Sequence, residues 1–399
     1  MVAALRPEEE EVPSSAKKEE RSSDGEQEEE RYGGVTAQTC CFVHTLQLVV
    51  NMIHKDASVI RLLEKVKAIV KQFRRSSVAT EKLHHLCGLA LIPSCVTRWS
   101  STFQMVSRLL QVKDSVAQVA DEMGWDCLLP SEWIRIAAVR DLLLPFADHT
   151  KTLQSDTVSL SLILPALLDL ITHLSQFALE SCHRDMCGLA NKMKADLERR
   201  FSCFLHPSEA RFSPLAAAAC FLDPTVAGET LIEHSDDGVQ EELLKEAEKY
   251  ILSATASISA TQRVDELKRD DGEPSRDVEE VPPERPRFKF LATKLSSSHQ
   301  SKQPKANCAQ QEVRKYKDEL LSQQIPDFQH GLDFWLAQTS VAYVTLKPLA
   351  LDLLAMPASQ AFAERVFSIT GDLTRACRNR ARVILERSAF LKLNRDKIG

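Results

Sequence analysis

A mostly α-helical chain is what the sequence predicts, and three observations carry that expectation. Only 12 of the 399 residues are Gly, whereas Leu, Ala, Glu and Lys, all strong helix formers, abound. Apolar residues recur at three- and four-residue spacing over most of the chain from residue 40 onward. A single short apolar run, residues 89–96, broken by Pro93, is the best strand candidate, leading into Thr97, Arg98 and Trp99.

The elements follow in order. Residues 1–34 are rich in Glu, Ser and Lys and lack periodic apolar positions, so this tail is expected to be disordered. Within it, residues 1–30 carry ten Glu and one Asp against two Lys and two Arg. The overall charge of -6 is therefore a property of the tail, and the rest of the chain sums to about +1. An acidic total is no argument against a nucleic-acid partner.

From Cys40 the pattern turns helical. Leu46, Val49, Val50 and Ile53 share one face, and Ile60, Leu63, Val66, Val70 and Phe73 form a second stripe. A helix from about Ser101 to Val119 follows the strand candidate, then helical patterns from Ser131 to Leu205. The phrase from Ala216 to Pro224 ends a helix, because the residue before proline is pushed out of the α region. A charged helix is expected from about Glu241 to Ala254.

Residues 263–287 hold nine acidic and six basic side chains and four prolines, the composition of a linker. A last structured block holds a helix near Asp327 to Leu336, the stripe Leu346, Leu349, Leu353 and Leu354, then Phe362, Val366 and Ile369, and a closing helix around Ile384 to Leu393.

Composition excludes several classes. Hydrophobic residues at 44% and charged ones at 27% do not fit a collagen-like, wholly disordered or membrane-bundle protein. The most apolar stretch, Val158 to Ile171, is interrupted by Pro165 and Asp169 and falls short of the roughly 20 residues of a membrane span, so no membrane is expected. Eleven cysteines without a short-spaced framework, and no secretory signal, point to a reducing compartment, with the nucleus as the expected location.

Four phrases stand out from generic helix: CFVHTLQLVV (41–50), TRWSSTF (97–103), FLDP (221–224) and MPASQAFAERVFS (356–368). In this order they resemble the hAT superfamily of DNA transposases and the host proteins derived from it, including the BED-zinc-finger proteins. The resemblance runs over nearly all of residues 39–395 and is most specific at its last motif, where Ala358 to Ser368 follow the family's A-S-x-x-x-x-E-R-x-F-S signature. Phe334 and Trp335 match its FW pair.

The resemblance implies a truncated RNase H-like core with one or two vestigial strands over residues 35–125, a helical insertion over 126–260, a disordered charged linker over 261–311 and a C-terminal dimerisation domain over 312–395. It also places Glu364 on the Glu of the D-D-E triad, whose carboxylates hold two divalent metals for phosphoryl transfer. Both family aspartates precede the C-x-x-H phrase, and neither is assignable here. A lone Glu does not bind a metal pair, so the expectation is an inactive remnant with no cofactor and no small-molecule substrate.

The remaining candidates divide between function and plain structure. Cys41 and His44 have a spacing open to metal ligation, but a structural zinc site shows two close ligand pairs, and a buried thiol beside a helix-start histidine explains them as well. Trp99 reads either as a core residue or, with Arg98, as a DNA contact through base stacking. Lys71 and Arg74, with Lys67 and Arg75, share a helix flank, and Arg375, Arg378 and Arg382 recur near the C-terminus, both open to phosphate contact. The Leu346–Phe367 segment is apolar on more than one face, so Trp335, Leu346, Leu349, Leu353, Leu354, Phe362, Val366 and Phe367 are expected at a core or dimer interface, with a second copy or a related hAT-derived protein as partner. Three readings follow: a domesticated, inactive protein acting through dimerisation; a nuclear DNA-binding regulator; and an active transposase, which needs the absent carboxylates.

Overall fold

Two early helix starts are set by short polar side chains that take up otherwise unpaired backbone N–H groups. Asp56 accepts from Ser58 N–H (3.0 Å) and Val59 N–H (3.1 Å), and Ser76 from Ala79 N–H (3.2 Å). Stops are equally local. Gly88, at φ +67°, takes the left-handed conformation that ends a helix, and its N–H bonds back to His84 O at 2.8 Å. The computed structural model describes residues 41–95, 99–155, 158–232, 238–270, 305–322, 325, 328–338, 342–374 and 382–393.

The first helices are α1 (Phe42–Val50), α2 (Ala57–Arg75) and α3 (Ser77–Cys87). Then come α4 (Trp99–Gln111), α5 (Lys113–Glu122) and the long α6 (Pro130–Leu153). The expected single helix from Ser101 to Val119 is broken at Val112, whose φ of -110° and ψ of 22° leave the helical region. A 3-10 turn (Leu160–Leu162) leads into α7 (Ile163–Leu179), and α8 (Cys187–Arg200), α9 (Ser202–Leu205) and α10 (Leu215–Leu222) follow. After a π-helical turn (Gly228–Ile232), α11 runs over Gly238–Asp270. The C-terminal helices are α12 (Lys305–Leu321), α13 (Gly331–Ala337), α14 (Leu346–Ala355), α15 (Ala361–Thr374) and α16 (Arg382–Leu393).

The mostly α architecture expected from the sequence is the one observed. Among the described residues no strand ladder forms, and the one β-type contact is an isolated antiparallel bridge between Ser159 and Pro357. Residues 89–95 are irregular rather than a strand. Pro93 has no N–H to give a ladder, and polar side chains take the neighbouring groups: Arg108 Nη1 donates to Ala90 O (2.9 Å), and Ser101 Oγ bonds Cys95 N (2.7 Å) and O (3.0 Å). Of residues 261–311, expected as a linker, α11 takes in those up to Asp270 and α12 those from Lys305. The tail, and residues 271–304 between those helices, lie outside the described residues.

At the centre sits α10. Ala216–Ala219, Cys220, Phe221 and Leu222 are all essentially inaccessible, as a helix apolar all round must be. Its alanines let neighbours come close, and α7, α11, α14 and the 3-10 turn pack around it. The segment Leu160–Leu179 has the length and mean hydropathy, 1.6, of a membrane span. In this fold Leu164, Leu167, Leu170 and Leu174 face the core instead, against α6, α8 and α10. At the far end, Phe42 of α1 stacks on Phe201 with centroids 4.7 Å apart, closing α1 onto α8.

The cap at Asp56 yields a pH-dependent expectation. The Ser58 hydroxyl, bonded at 2.6 Å, holds the Asp56 carboxyl below its ordinary range, aided by the two backbone donors. A lowered carboxyl pKa gives stability that is present above the unfolded value, about 3.9, and lost as pH falls through the folded one. Asp56→Ala is expected to cost about 1 kcal/mol in urea unfolding at pH 7. The gap to wild type should narrow below about pH 4.

Candidate functional site

The C-terminal block is built onto the body through the FLDP phrase. Because Pro224 forbids continuation, α10 stops at Leu222 and its last carbonyls lack helical partners. Trp335 of α13 supplies one: its indole Nε1–H donates to Leu222 O at 2.6 Å, with the ring fully buried. Next along, Asp223 is 4% exposed and fully used. Its Oδ2 accepts from Ser161 Oγ (2.5 Å), and its Oδ1 accepts from Thr225 N–H (3.1 Å) and Oγ1 (2.6 Å). Gly331, the first residue of α13, lies so close that a Cβ there would stand 2.1 Å from Asp223 Oδ1.

Around this joint is an aromatic cluster centred on Tyr316 of α12. Phe221 (5.5 Å), Trp335 (5.2 Å), Phe334 (6.0 Å) and Tyr343 (6.2 Å) surround its ring, in the tilted or edge-on geometries that aromatic quadrupoles favour. Burial pushes the Tyr316 phenol well above its ordinary pKa, with the Asp223 charge adding to it, so the ring stays neutral. Its hydroxyl has no hydrogen-bond partner among the described residues.

A second buried carboxylate orders the same block. Glu312, 7% exposed, accepts from Thr345 N–H (3.0 Å), Thr345 Oγ1 (2.7 Å) and Leu346 N–H (2.9 Å). It caps α14 from another helix, placing a negative charge where the helix dipole is positive. The MPAS phrase then ties the chain back to the body: Leu160 N–H donates to Met356 O (2.8 Å) and Ala358 N–H to Val158 O (3.1 Å). Ser359 Oγ accepts from Ala361 N–H (3.3 Å) at the start of α15.

Beside the block a cleft of about 810 Å³ gathers three of the four motifs. Val43 and Gln47 come from α1, Trp99 and Phe103 from α4, Asp148 and Lys151 from α6, and Glu364 and Arg365 from α15. Trp99 is 5% exposed, at the first turn of α4, so its ring is mainly a core element with an edge in the cleft. Glu364 is exposed, and Arg365 reaches across to Gln154 O (3.2 Å).

The other expected residues fall as follows. Leu346, Leu349, Leu353 and Leu354 are buried against the body, α14 packing on α10, α11 and α13. Val366 is half-buried and Phe367 exposed, while the Phe362 side chain lies outside the described residues. Cys41 is half-buried and His44 exposed, with no third metal-ligating group beside them among the described residues. Lys71 and Arg74 are exposed on α2, whereas Arg98, Arg375, Arg378 and the Arg382 side chain lie outside the described residues. Three residues that order the joint are absent from the sequence-derived candidates: Asp223, Glu312 and Tyr316. The FLDP phrase points at the first, and nothing local marks the other two.

This geometry defines a class: a helical protein whose C-terminal helices are seated on the body by an FW pair and an LDP turn. Residues 312–388 match the hAT family C-terminal dimerisation region. Over 253 residues, 59% of this chain, the sequence is 24% identical to the Homo sapiens protein "Zinc finger BED domain-containing protein 4", and the match covers 20% of that relative. The chain therefore spans about a fifth of the relative's length.

Two substitutions probe the joint. Gly331→Ala forces a methyl against Asp223 and is expected to lower stability by about 1–3 kcal/mol in denaturant unfolding, the usual cost of overpacking. Glu312→Ala strands buried N–H groups at the start of α14, for a loss of about 2 kcal/mol, whereas Glu312→Gln, which keeps an acceptor, should recover part of it.

Proposed function

We propose that this chain is a hAT-derived, non-catalytic protein that acts by self-association through residues 312–395. One observation carries the reading: α15 and α16 pack on each other, yet leave Phe367 at 74% and Leu391 at 57% exposure. Phe367 lies inside the segment matching the dimerisation region. A large aromatic held in water by its own chain gains most when a partner desolvates it, and such residues form the cores of interfaces. The apolar side of α14 is already used within the chain, so Leu346, Leu349, Leu353 and Leu354 act as the platform that holds α15 and α16 in place. In an isologous pair, each Phe367 would meet the equivalent surface of the second copy.

Phosphoryl transfer is no part of this reading. A two-metal mechanism needs carboxylates converging on shared cations. Glu364 instead lines a cleft with the cations Lys151 and Arg365 as well as Asp148.

Light scattering on the purified chain at micromolar concentration is expected to give twice the monomer mass. Phe367→Asp combined with Leu391→Asp should return it to the monomer with its helical circular dichroism intact. Leu353→Asp, at a buried platform position, should lower the unfolding temperature. A monomeric wild type, or an undisturbed dimer in the double variant, would sink the proposal. DNA strand-transfer activity with magnesium or manganese that disappears in Glu364→Ala would refute the non-catalytic part.

A further inference from the structure

We propose that Ser77, at the elbow between α2 and α3, is a phosphorylation site for an arginine-directed serine kinase, a role that goes beyond self-association. Residues 74–78 read Arg-Arg-Ser-Ser-Val, and no acidic residue stands between Glu64 and Glu81. Kinases of this class hold an extended substrate segment. Their carboxylates face guanidinium groups three and two positions before the acceptor, and an apolar pocket takes the residue after it. Arg74, Arg75 and Val78 occupy those three positions about Ser77.

The fold leaves this segment open. Arg74, Arg75, Ser77 and Val78 are exposed and Ser76 is half-buried, whereas Phe73 before them and Ala79 after them are buried. The accessible stretch therefore coincides with the segment that a kinase cleft must hold. Arg74, Arg75 and Ser77 have no side-chain partner among the described residues, and Val78, at 52% exposure, is an apolar side chain that the body does not cover. The backbone is already interrupted here: Ser76, at φ -100° and ψ 111°, is extended. Ser77 and Val78 open α3, where N–H groups lack intrahelical acceptors. Drawing residues 74–78 out breaks only the last turn of α2 and the first of α3, and helix ends are where local opening is least costly.

The pattern Arg-Arg-x-Ser occurs a second time, from Arg199 to Ser202, and there the fold closes it. Both guanidinium groups are held by Asp196, Arg199 Nη2 at 2.6 Å from Oδ1 and Arg200 Nε at 2.6 Å from Oδ2. Phe201 is buried against Phe42, and Ser202 is half-buried at the start of α9. A kinase would have to break two ion pairs and pull a core aromatic into water to reach Ser202. The two patterns are alike as sequence, and packing separates them.

MgATP is the phosphoryl donor. The Ser77 hydroxyl oxygen bonds to the γ-phosphorus, the bond from that phosphorus to the β–γ bridging oxygen breaks, ADP leaves with the electron pair, and the hydroxyl proton passes to the kinase's catalytic Asp. The product carries a charge of about -1.5 to -2 at neutral pH. It stands in the first turn of α3, where the helix dipole favours an anion, two residues from Arg75 and three from Arg74. One modification thus converts a cationic elbow into a nearly neutral one.

The test is incubation of the folded full chain with MgATP and the catalytic subunit of cyclic-AMP-dependent protein kinase, with the modified residues located by peptide mass spectrometry. Expected is transfer to Ser77 and none to Ser202. Ser77→Ala should abolish phosphate at this elbow, and Arg74→Gln with Arg75→Gln should slow transfer to Ser77 about tenfold or more. All three positions are exposed, so the variants should keep the wild-type circular dichroism. In phosphorus NMR the phosphoserine should titrate below its ordinary pKa of about 6, and the double arginine variant should return it toward that value. The full chain recovered from mammalian cells stimulated through cyclic AMP should carry the same group. No transfer to Ser77 in the folded chain, equal transfer to Ser202, an undiminished rate in the double arginine variant, or an unmodified Ser77 in the stimulated cells would overturn the assignment.

Discussion

A helix that must stop before a proline leaves carbonyls that need donors, and in this protein the donor comes from 113 residues further along. The hydrogen bond from the Trp335 indole to Leu222 O is the pivot on which the C-terminal block turns. Trp335 is wholly buried, so an unmade bond there would cost both the desolvated N–H and the packing of the ring. With that bond in place, Gly331 must lie against Asp223, Phe334 must meet Phe328 and Tyr316, and α14 is carried onto α10. The FLDP phrase thus works as a socket. Leu222 offers a carbonyl, Asp223 orders the turn through Ser161 and Thr225, and Pro224 guarantees the helix end that creates the socket.

A socket of this kind explains how apolar surface is distributed in the C-terminal block. Since α14 is used up against the body, its leucines are covered, and exposed apolar side chains remain on α15 and α16 as well as at Leu321, Leu336 and Val344. The layers divide the work, with α10 as a fully buried centre, α12 to α14 as its cover, and the last two helices presenting Phe367 and Leu391 outward. Electrostatics follows the same division. Carboxylates at the joint, Asp223 and Glu312, are consumed by turns and caps, whereas cations gather on the flank of α2, on the first part of the chain.

Much of the fold is legible in the sequence because helix formation is local. The stripe Ile60, Leu63, Val66, Val70 and Phe73 sits within four turns of chain and marks α2 with its buried face, and Pro224 marks the end of α10 unaided. What a local pattern does not encode is the partner. The apolar faces of α14 are compatible with a second copy or with α10 and α11, and only the Trp335 contact decides between them. Glu312 reads as one more helix-surface acid, yet its carboxylate caps a helix that begins 34 residues later. Trp99, Glu364 and the first turns of α1 stand far apart in sequence and share one cleft. The strand expected at residues 89–96 fails for a related reason: a strand needs a neighbour to pair with, and side chains of α4 satisfy the backbone there instead.

The distance between Leu222 and Trp335 also sets a clock. A ribosome adding about 5–20 residues per second delivers α10 about 6 to 23 s before the indole that completes it. During that interval the Ala-rich helix lacks the part of its cover that α14 provides. The C-terminal helices act as a late clasp that completes the cover of α10.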